Sequence, residues 1–221
     1  EAMRHAISKL AHLHLVATQA SRKRLIRMGE LPAWVFRVGS PAIDDLDQVV
    51  VATQVPKIIV LQHPIGASDP EEAKWMKATL QAVAKVVDAQ ELLVLAPNRD
   101  PGHQGVRKAL RNGGVKVTSH FPRHRFVGFL KGARAILGNS SAGLIEAAAL
   151  RVACVNIGSR QAGREKPRSV VDTSYGQRNV FKAILLFLIR GVRLGTKSYK
   201  RMDSELGEPP HPPVPSEEKK G

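Results

Sequence analysis

A short polar turn between two apolar segments is the part of this sequence best suited to chemistry. Gly138-Asn139-Ser140-Ser141 follows the apolar run 135–137 and precedes an alanine-rich segment, which predicts a strand, a tight turn and a helix over 141–150. Ser140 or Ser141 can cap that helix, and its free N–H groups and positive dipole end attract phosphate. Glu146, one turn in, can accept hydrogen bonds from both hydroxyls of a ribose. The stretch therefore fits a nucleoside diphosphate site or an ordinary strand-to-helix turn with an acid near the helix dipole.

The rest of the chain must supply the elements that position this turn. Up to residue 38 the pattern predicts a helix ending at 10, a strand at 14–17, a helix from Thr18 to about Gly29 and a strand at 35–38. From residue 57 short apolar strands alternate with helices, with strands predicted at 58–61, 92–95, 115–117, 135–137 and 153–157, and helices at 71–87, 104–111, 126–132 and 141–150. Continuous apolar strands separated by helices predict a doubly wound α/β domain with a parallel sheet covered on both faces.

Polar side chains follow the strands of this predicted sheet. Ligands of such sheets bind beyond the carboxyl ends of the strands. A single histidine at such a position more often makes a structural hydrogen bond, and two arginines on a loop more often contribute surface charge. Convergence of these residues on one edge of the sheet nevertheless favours a binding site in which the arginines clamp phosphate oxygens. The strand-end segments are Gln62-His63-Pro64, Pro97-Asn98-Arg99-Asp100, Ser119-His120-Phe121-Pro122, the Gly138 turn, and Gly158 to Arg164 with Arg160.

Composition narrows the classes of protein that remain. The 221 residues are 43% hydrophobic, which suffices for a core, and they carry a formal net charge of +15. That charge is typical of nucleic-acid binders, but the basic residues are scattered and aromatic residues make up only 5%, so we expect no nucleic-acid partner. With one cysteine, no metal-ligand spacing, no P-loop and no Gly-rich dinucleotide fingerprint, we expect neither a metal nor a cofactor. No apolar run approaches the roughly 20 residues that span a bilayer, so we expect no membrane partner and a cytoplasmic location.

These motifs, in this order, resemble those of the UDP-N-acetylglucosamine 2-epimerase family. The resemblance runs from about Arg4 to Phe187, and the Asn-Ser-Ser and Arg-Gln-x-Gly-Arg motifs are similar to the hydrolysing branch. Its motifs are the run from Arg4 to His14, Gln62-His63-Pro64, Pro97-Asn98-Arg99-Asp100, Gly138 to Gly143 with Glu146, and Asn156 to Arg164.

The resemblance implies a glycosyltransferase-B-like fold and a UDP-sugar substrate. It implies that residues 1–44 are the remnant of an N-terminal Rossmann-like domain, that 45–190 form a UDP-binding Rossmann-like domain, and that 191–221 form an extension with a largely disordered Pro-rich tail. The UDP ligands that it implies are His63, Asn98, Phe121 (through its backbone, at the uracil), Ser140 and Ser141 (at the diphosphate), Glu146 (at the ribose) and Arg160.

The family reaction implies elimination of UDP followed by addition of water, which releases N-acetylmannosamine for sialic or other nonulosonic acid biosynthesis. The family carboxylates that act as acid and base are expected upstream of Glu1, with Arg4 near the site. Because these carboxylates are expected upstream, we expect this chain alone to bind UDP without turnover. We also expect the full-length enzyme to be a homo-oligomer. A 4-acetamido-trideoxy UDP-sugar as substrate, a non-catalytic UDP-binding module and a nucleic-acid binder stay open as alternatives.

Overall fold

The computed structural model describes residues 2–190, so the extension predicted over 191–221 lies outside the described residues. Two parallel sheets are present in this range, one formed by two strands and one by six. None of the helices in residues 2–190 combines the length and the apolarity needed to cross a bilayer.

The first 37 residues form the smaller sheet and its helices. They comprise α1 (Ala2–Leu10), β1 (His14–Val16), α2 (Gln19–Arg27), a 3-10 turn (Pro32–Trp34) and β2 (Val35–Arg37). The two strands are parallel, with His14 opposite Val35. Thr18 caps α2, because its hydroxyl oxygen accepts a hydrogen bond from the Ser21 N–H at 3.1 Å. These elements confirm the predicted helix–strand–helix–strand order.

The larger sheet confirms the predicted doubly wound α/β architecture. Its strands are all parallel and lie in the order β5-β4-β3-β6-β7-β8, so the chain runs outward in one direction from β3 and in the other from β6. Ligands of doubly wound sheets bind where the order reverses, here between β3 and β6. The elements are β3 (Ile58–Leu61), α3 (Asp69–Val83), β4 (Leu92–Leu95), α4 (His103–Asn112), β5 (Val117–Thr118), α5 (Arg123–Gly132), β6 (Ala135–Gly138), α6 (Ser141–Leu144), α7 (Glu146–Ala149), β7 (Ala153–Ile157), β8 (Val170–Thr173) and α8 (Gln177–Arg190).

The sheet is buried on both faces, which explains its uniformly apolar central strands. Successive side chains of a strand point to opposite faces. Ile58 and Val60 accordingly belong to the core cluster under α3, α4 and α8, whereas Ile59 belongs to the cluster under α5, α6 and α7. α8 is fixed on α3 partly by the stacked rings of Trp75 and Tyr175, whose centroids lie 4.2 Å apart.

Several predicted elements differ from the structure. The helix predicted over 141–150 is two four-residue helices divided at Ile145, whose backbone (φ −107°, ψ −73°) departs from helical geometry. Glu146 therefore begins α7 and does not lie one turn inside a continuous helix. α3 ends at Val83 and not at 87, β5 lies at Val117–Thr118 and not at 115–117, and α5 begins at Arg123 and not at 126. The pattern did not identify β8 or α8.

The segment between the two sheets, residues 38–57, is called the linker below. It contains two 3-10 turns, Pro41–Ile43 and Leu46–Gln48, and lies along α5. The Gly128 carbonyl of α5 accepts a hydrogen bond from Ala52 N–H at 3.1 Å, and Lys131 Nζ donates to the carbonyls of Asp47 (3.2 Å) and Val49 (2.7 Å). The domain boundary that we predict at residue 44 falls inside this linker and stays a prediction.

Gly138, the last residue of β6, has a backbone conformation that a residue with a side chain cannot adopt without strain. Its φ of +134° is rare for L-residues, and a Cβ atom there would lie 2.0 Å from the Leu61 carbonyl oxygen of β3. The turn between β6 and α6 therefore depends on this glycine, because only glycine permits such a close approach of two backbones.

We expect Gly138→Ala to lower the free energy of unfolding by more than about 3 kcal/mol, since a strained φ of this kind alone costs about 1–2 kcal/mol and the steric overlap adds to it. Urea unfolding followed by circular dichroism measures the change. Gly114→Ala is the matched control, because Gly114 also has a positive φ (+62°) but no atom within 4 Å of the added Cβ. Equal losses in the two variants would show that the contact with Leu61 is unimportant.

Candidate functional site

The side chain of Asn139 joins the ends of β3 and β6. It is fully buried, with 0% of its surface exposed. Its Oδ1 accepts a hydrogen bond from the His63 N–H at 2.7 Å, and its Nδ2 donates to the His63 carbonyl at 2.8 Å. A buried amide without partners would destabilise the fold, and both polar atoms of this one are satisfied by a single residue. The loop after β3 is thereby fixed to the turn after β6.

His63 is held as a neutral ring with a defined tautomer. Its Nδ1 accepts a hydrogen bond from the Asn98 N–H at 3.1 Å, so the proton of the neutral ring lies on Nε2. Burial, with a smaller contribution from the positive charge of Arg160, lowers the pKa of His63 to about 4, whereas the charge of Asp100 acts in the opposite direction. At neutral pH His63 is therefore a hydrogen-bond donor through Nε2–H and carries no charge.

Arg160 and Gln161, on the loop after β7, reach the same turn. Gln161 Nε2 donates to the Asn139 carbonyl at 2.7 Å, and Arg160 Nη1 lies 3.4 Å from that oxygen. Arg160 Nη2 also lies 3.6 Å from Asp100 Oδ2, and the same carboxylate oxygen accepts a hydrogen bond from Asn98 Nδ2 at 2.5 Å. The loops after β3, β4, β6 and β7 are thus joined in one polar network.

The two serines have different positions in the turn. Ser140 is the N-cap of α6, since its hydroxyl oxygen accepts a hydrogen bond from the Ala142 N–H at 3.3 Å. Ser141 is the first residue of α6. Because α6 has only four residues, its dipole is weaker than that of the continuous helix predicted from the sequence. Attraction of an anion to this turn must therefore rely more on the hydroxyl groups, the first N–H groups and Arg160.

A cavity of about 430 Å³ opens beside the network, at the ends of β3, β4 and β5. The Phe121 ring on its wall packs against Phe129, with centroids 5.0 Å apart, and Arg125 lies over the same ring at 5.3 Å. Its lining is mostly apolar with a few polar groups, which is typical of small-molecule sites. The residues that line it are Leu61, His63, Leu95, Ala96, Pro97, Asn98, Ser119, His120, Phe121, Arg123 and Phe126.

Glu146 lies next to this cavity through its partner Arg123. Arg123 Nη1 is 3.7 Å from Glu146 Oε1, and 15% of the Glu146 side chain is exposed. Burial raises the pKa of Glu146, while its own backbone N–H and the charge of Arg123 act in the opposite direction. The first turns of α5 and α7 thus present a pair of opposite charges at the nucleotide edge predicted from the sequence.

The structure brings together most of the predicted site residues. His63, Asn98 and Arg160 share the polar network, Ser140 and Ser141 follow Asn139 directly, and Phe121 lies in the cavity wall. Arg4 lies on the exposed helix α1, which precedes the smaller sheet. The sequence-based prediction did not include Asn139, Gln161, Asp100 or Arg123 among the site residues, although the first three of these stand within the predicted strand-end segments.

Comparisons with known proteins identify the family of this chain. A family model described as UDP-N-acetylglucosamine 2-epimerase matches residues 1–208. The chain belongs to the UDP-N-acetylglucosamine 2-epimerase family. A Legionella pneumophila relative, named UDP-N,N'-diacetylbacillosamine 2-epimerase (hydrolyzing), is 37% identical over 190 residues, which cover 78% of this chain and 49% of the relative. A Neisseria meningitidis UDP-N-acetylglucosamine 2-epimerase is 31% identical over 83% of this chain and 52% of its own length.

Members of this family are enzymes, and the predicted resemblance to the family is confirmed. The chain spans about half the length of the curated relatives that it matches. Among solved structures, Staphylococcus aureus MnaA in complex with UDP superposes with a TM-score of 0.62 at 20% identity, over 81% of this chain and 52% of that protein. Its fold is glycosyltransferase-B-like, so the predicted fold class is confirmed as well.

The position of His63 predicts how stability changes with pH. The pKa of His63 is about 4 in the folded protein and near its ordinary 6.5 in the unfolded chain, so between these values the unfolded chain binds more protons. This histidine therefore makes the protein less stable as the pH falls from 6.5 to 4.

We expect His63→Gln to lose less stability than the wild-type protein between pH 7.5 and pH 5, as measured by urea unfolding at both values. His120→Gln replaces an exposed histidine of the same cavity and serves as the control. If His63→Gln and the wild-type protein lose the same amount, His63 is not held neutral by the fold.

Proposed function

We propose that this chain binds UDP at the edge between β3 and β6 and forms the nucleotide-binding part of a hydrolysing UDP-N-acetylglucosamine 2-epimerase. The observation that carries the proposal is the Asn139 network, which fixes the loops of His63 and Arg160 around the Ser140 turn, directly beside the cavity. Edges of this kind, at the point where the strand order reverses, are where doubly wound sheets bind nucleotides.

The proposed orientation of UDP follows from the chemistry of each group. Ser140, Ser141 and Arg160 are hydrogen-bond donors and suit the diphosphate, and the Nε2–H of neutral His63 is a further donor close to them. Glu146 is an acceptor beside the cavity and suits the two ribose hydroxyls. The uracil would then enter the cavity, where Phe121 offers its backbone and Asn98 closes one side.

We propose the hydrolysing reaction for the whole enzyme: elimination of UDP from UDP-N-acetylglucosamine, then addition of water to give N-acetylmannosamine. The relative named as a hydrolyzing epimerase supports this branch. Asp100 and Glu146, the carboxylates described at the nucleotide edge, lie next to Arg160 and Arg123 and are assigned to binding. The proposal therefore assigns the carboxylates that act as acid and base to the part of the longer relatives that this chain does not span. It includes a role in sialic or other nonulosonic acid biosynthesis in the cytoplasm.

A second substrate is favoured by a specific observation. The 37% identical relative is named for UDP-N,N'-diacetylbacillosamine, a 4-acetamido-trideoxy sugar, whereas the 31% identical relative is named for UDP-N-acetylglucosamine. Both substrates share the UDP part that is assigned to this chain. Incubation of the full-length protein with each UDP-sugar, followed by assay of UDP release, distinguishes the two.

We expect Glu146→Gln to weaken UDP binding by about tenfold to a hundredfold, because a hydrogen bond to a charged acceptor contributes about 1.5–3 kcal/mol. Binding of 2′-deoxy-UDP should weaken less, since it offers only one of the two hydroxyls. Isothermal titration calorimetry measures both dissociation constants. Unchanged UDP affinity in the variant would remove Glu146 from the site.

Replacing both Ser140 and Ser141 with alanine should reduce the affinity for UDP about tenfold more than the affinity for uridine, which lacks the phosphates. Ser141→Ala alone is the matched comparison, because the Ser140 change also removes the N-cap of α6 and costs about 1 kcal/mol in stability. If uridine binding falls as much as UDP binding, the proposed orientation of the nucleotide is reversed.

A further inference from the structure

Arg123 connects the proposed ribose ligand to the linker. It begins α5, and its Nη1 lies 3.7 Å from Glu146 Oε1. Its Nη2 donates a hydrogen bond of 2.6 Å to the carbonyl of Ala42, in the Pro41–Ile43 turn of the linker. Arg123 also lines the cavity beside His63 and Phe121. One guanidinium group therefore contacts the linker, the cavity and the carboxylate.

The distance between Arg123 and Glu146 allows the guanidinium to orient the carboxylate without forming a hydrogen bond to it. At 3.7 Å the pair attracts electrostatically but is too long for a hydrogen bond. Apart from the hydrogen bond from its own backbone N–H, the Glu146 carboxylate therefore keeps its lone pairs available for ligand hydroxyls. Burial favours the neutral form of Glu146, which accepts hydrogen bonds less well, and the positive charge of Arg123 acts against this effect by lowering its pKa.

The linker end of Arg123 gives the guanidinium a fixed position. The hydrogen bond to Ala42 is short and charge-assisted, whereas 49% of the Arg123 side chain is exposed and would otherwise sample several rotamers. The contact of Lys131 with the linker carbonyls of Asp47 and Val49 lies at the other end of α5, away from Glu146. The linker is therefore contacted by two basic side chains of α5: Arg123, which also lies next to the Glu146 carboxylate, and Lys131, which does not.

We propose that Arg123 is a positioning residue for ribose recognition: fixed on the Ala42 carbonyl of the linker, it holds the Glu146 carboxylate in place for the two ribose hydroxyls. This inference rests on the proposed UDP site. It adds that selection of a ribonucleotide over a deoxyribonucleotide depends on a residue that touches the linker and not only on the carboxylate itself. It also makes the linker part of the nucleotide site.

The test measures the ratio of the dissociation constants of 2′-deoxy-UDP and UDP by calorimetry. The proteins compared are the wild type, Arg123→Gln, Glu146→Gln and the double variant. We expect a ratio of about ten in the wild type, from one hydrogen bond to a charged acceptor, and of about two in each single variant. The double variant should bind UDP no more weakly than Glu146→Gln alone, because both changes remove the same interaction.

Two controls separate positioning from general disturbance. Lys131→Met removes the other basic contact with the linker and should keep the wild-type ratio. Arg123→Lys retains the positive charge, but its ammonium group cannot contact both the Ala42 carbonyl and Glu146 as the planar guanidinium does. We therefore expect a ratio of dissociation constants between those of the wild type and Arg123→Gln. Thermal unfolding of each protein without ligand shows whether it is folded, as we expect for the Arg123 variants because that side chain is half-exposed.

The possible failures are distinguishable. A wild-type ratio in Arg123→Gln, additive losses in the double variant, or the same loss in Lys131→Met would each overturn the role of Arg123 while leaving the UDP site intact. Absence of UDP binding by the wild-type protein would instead overturn the proposed function, and this inference with it.

Discussion

The proposed nucleotide edge, where β3 and β6 end, depends on one buried side-chain amide. Asn139 directly follows β6, and its backbone N–H still donates to the Leu61 carbonyl of β3 at 3.3 Å. Its side chain extends this connection by bonding to both the N–H and the C=O of His63. Its own carbonyl is then free for Gln161 and Arg160. Because an unpaired amide is costly in a site with no solvent access, this residue fixes the relative positions of three loops. Gly138 makes the arrangement possible by bringing the backbone within van der Waals distance of Leu61.

Charge at this edge is balanced locally, although the protein as a whole is strongly basic, with a net charge of +15. Arg160 lies 3.6 Å from Asp100 and Arg123 lies 3.7 Å from Glu146, so both of these arginines have a carboxylate within 4 Å. His63 is neutral because burial and Arg160 disfavour its charged form. A diphosphate at Ser140 would add negative charge near Arg160, whose pairing with Asp100 is long and partly exposed to solvent and is therefore weak.

The centre of the sheet was predictable from the sequence and its edges were not. The runs at 58–61, 92–95, 135–137 and 153–157 are apolar because strands buried on both faces must be, and all four are strands. β5 and β8 are the two outer strands, each with a neighbouring strand on one side only. Their side chains are therefore less strictly required to be apolar. The pattern misplaced β5 and did not identify β8, whose sequence includes the polar Asp172 and Thr173.

The site was predictable to the extent that it consists of residues that directly follow strands. His63, Asn98, Ser140 and Arg160 are such residues, and the topology of the sheet alone places them together. Arg123 depends instead on a carbonyl 81 residues away in the chain, and Gln161 on one 22 residues away. A backbone carbonyl can accept a hydrogen bond whatever the residue type, so the sequence does not indicate these partners and only the structure identifies them. The break at Ile145 is of the same kind, because nothing in Leu144-Ile145-Glu146 opposes a continuous helix.

The order of the strands also has a consequence for how the protein folds. β3 pairs with β4 and β6 pairs with β7, and each of these units joins strands that follow one another in sequence. The pairing of β3 with β6 closes a loop that contains all the residues between these two strands in the sequence, and the hydrogen bond from His63 to Asn139 spans 76 residues. Such non-local contacts bear the entropic cost of closing a long loop, so we expect them to form later than the pairings within each half. The two halves of the sheet can therefore gain structure separately, and the nucleotide edge exists only once they have joined. Ligand binding at this edge would report completed folding, and a nascent chain would acquire it only after β6 and the turn beyond it had been synthesised.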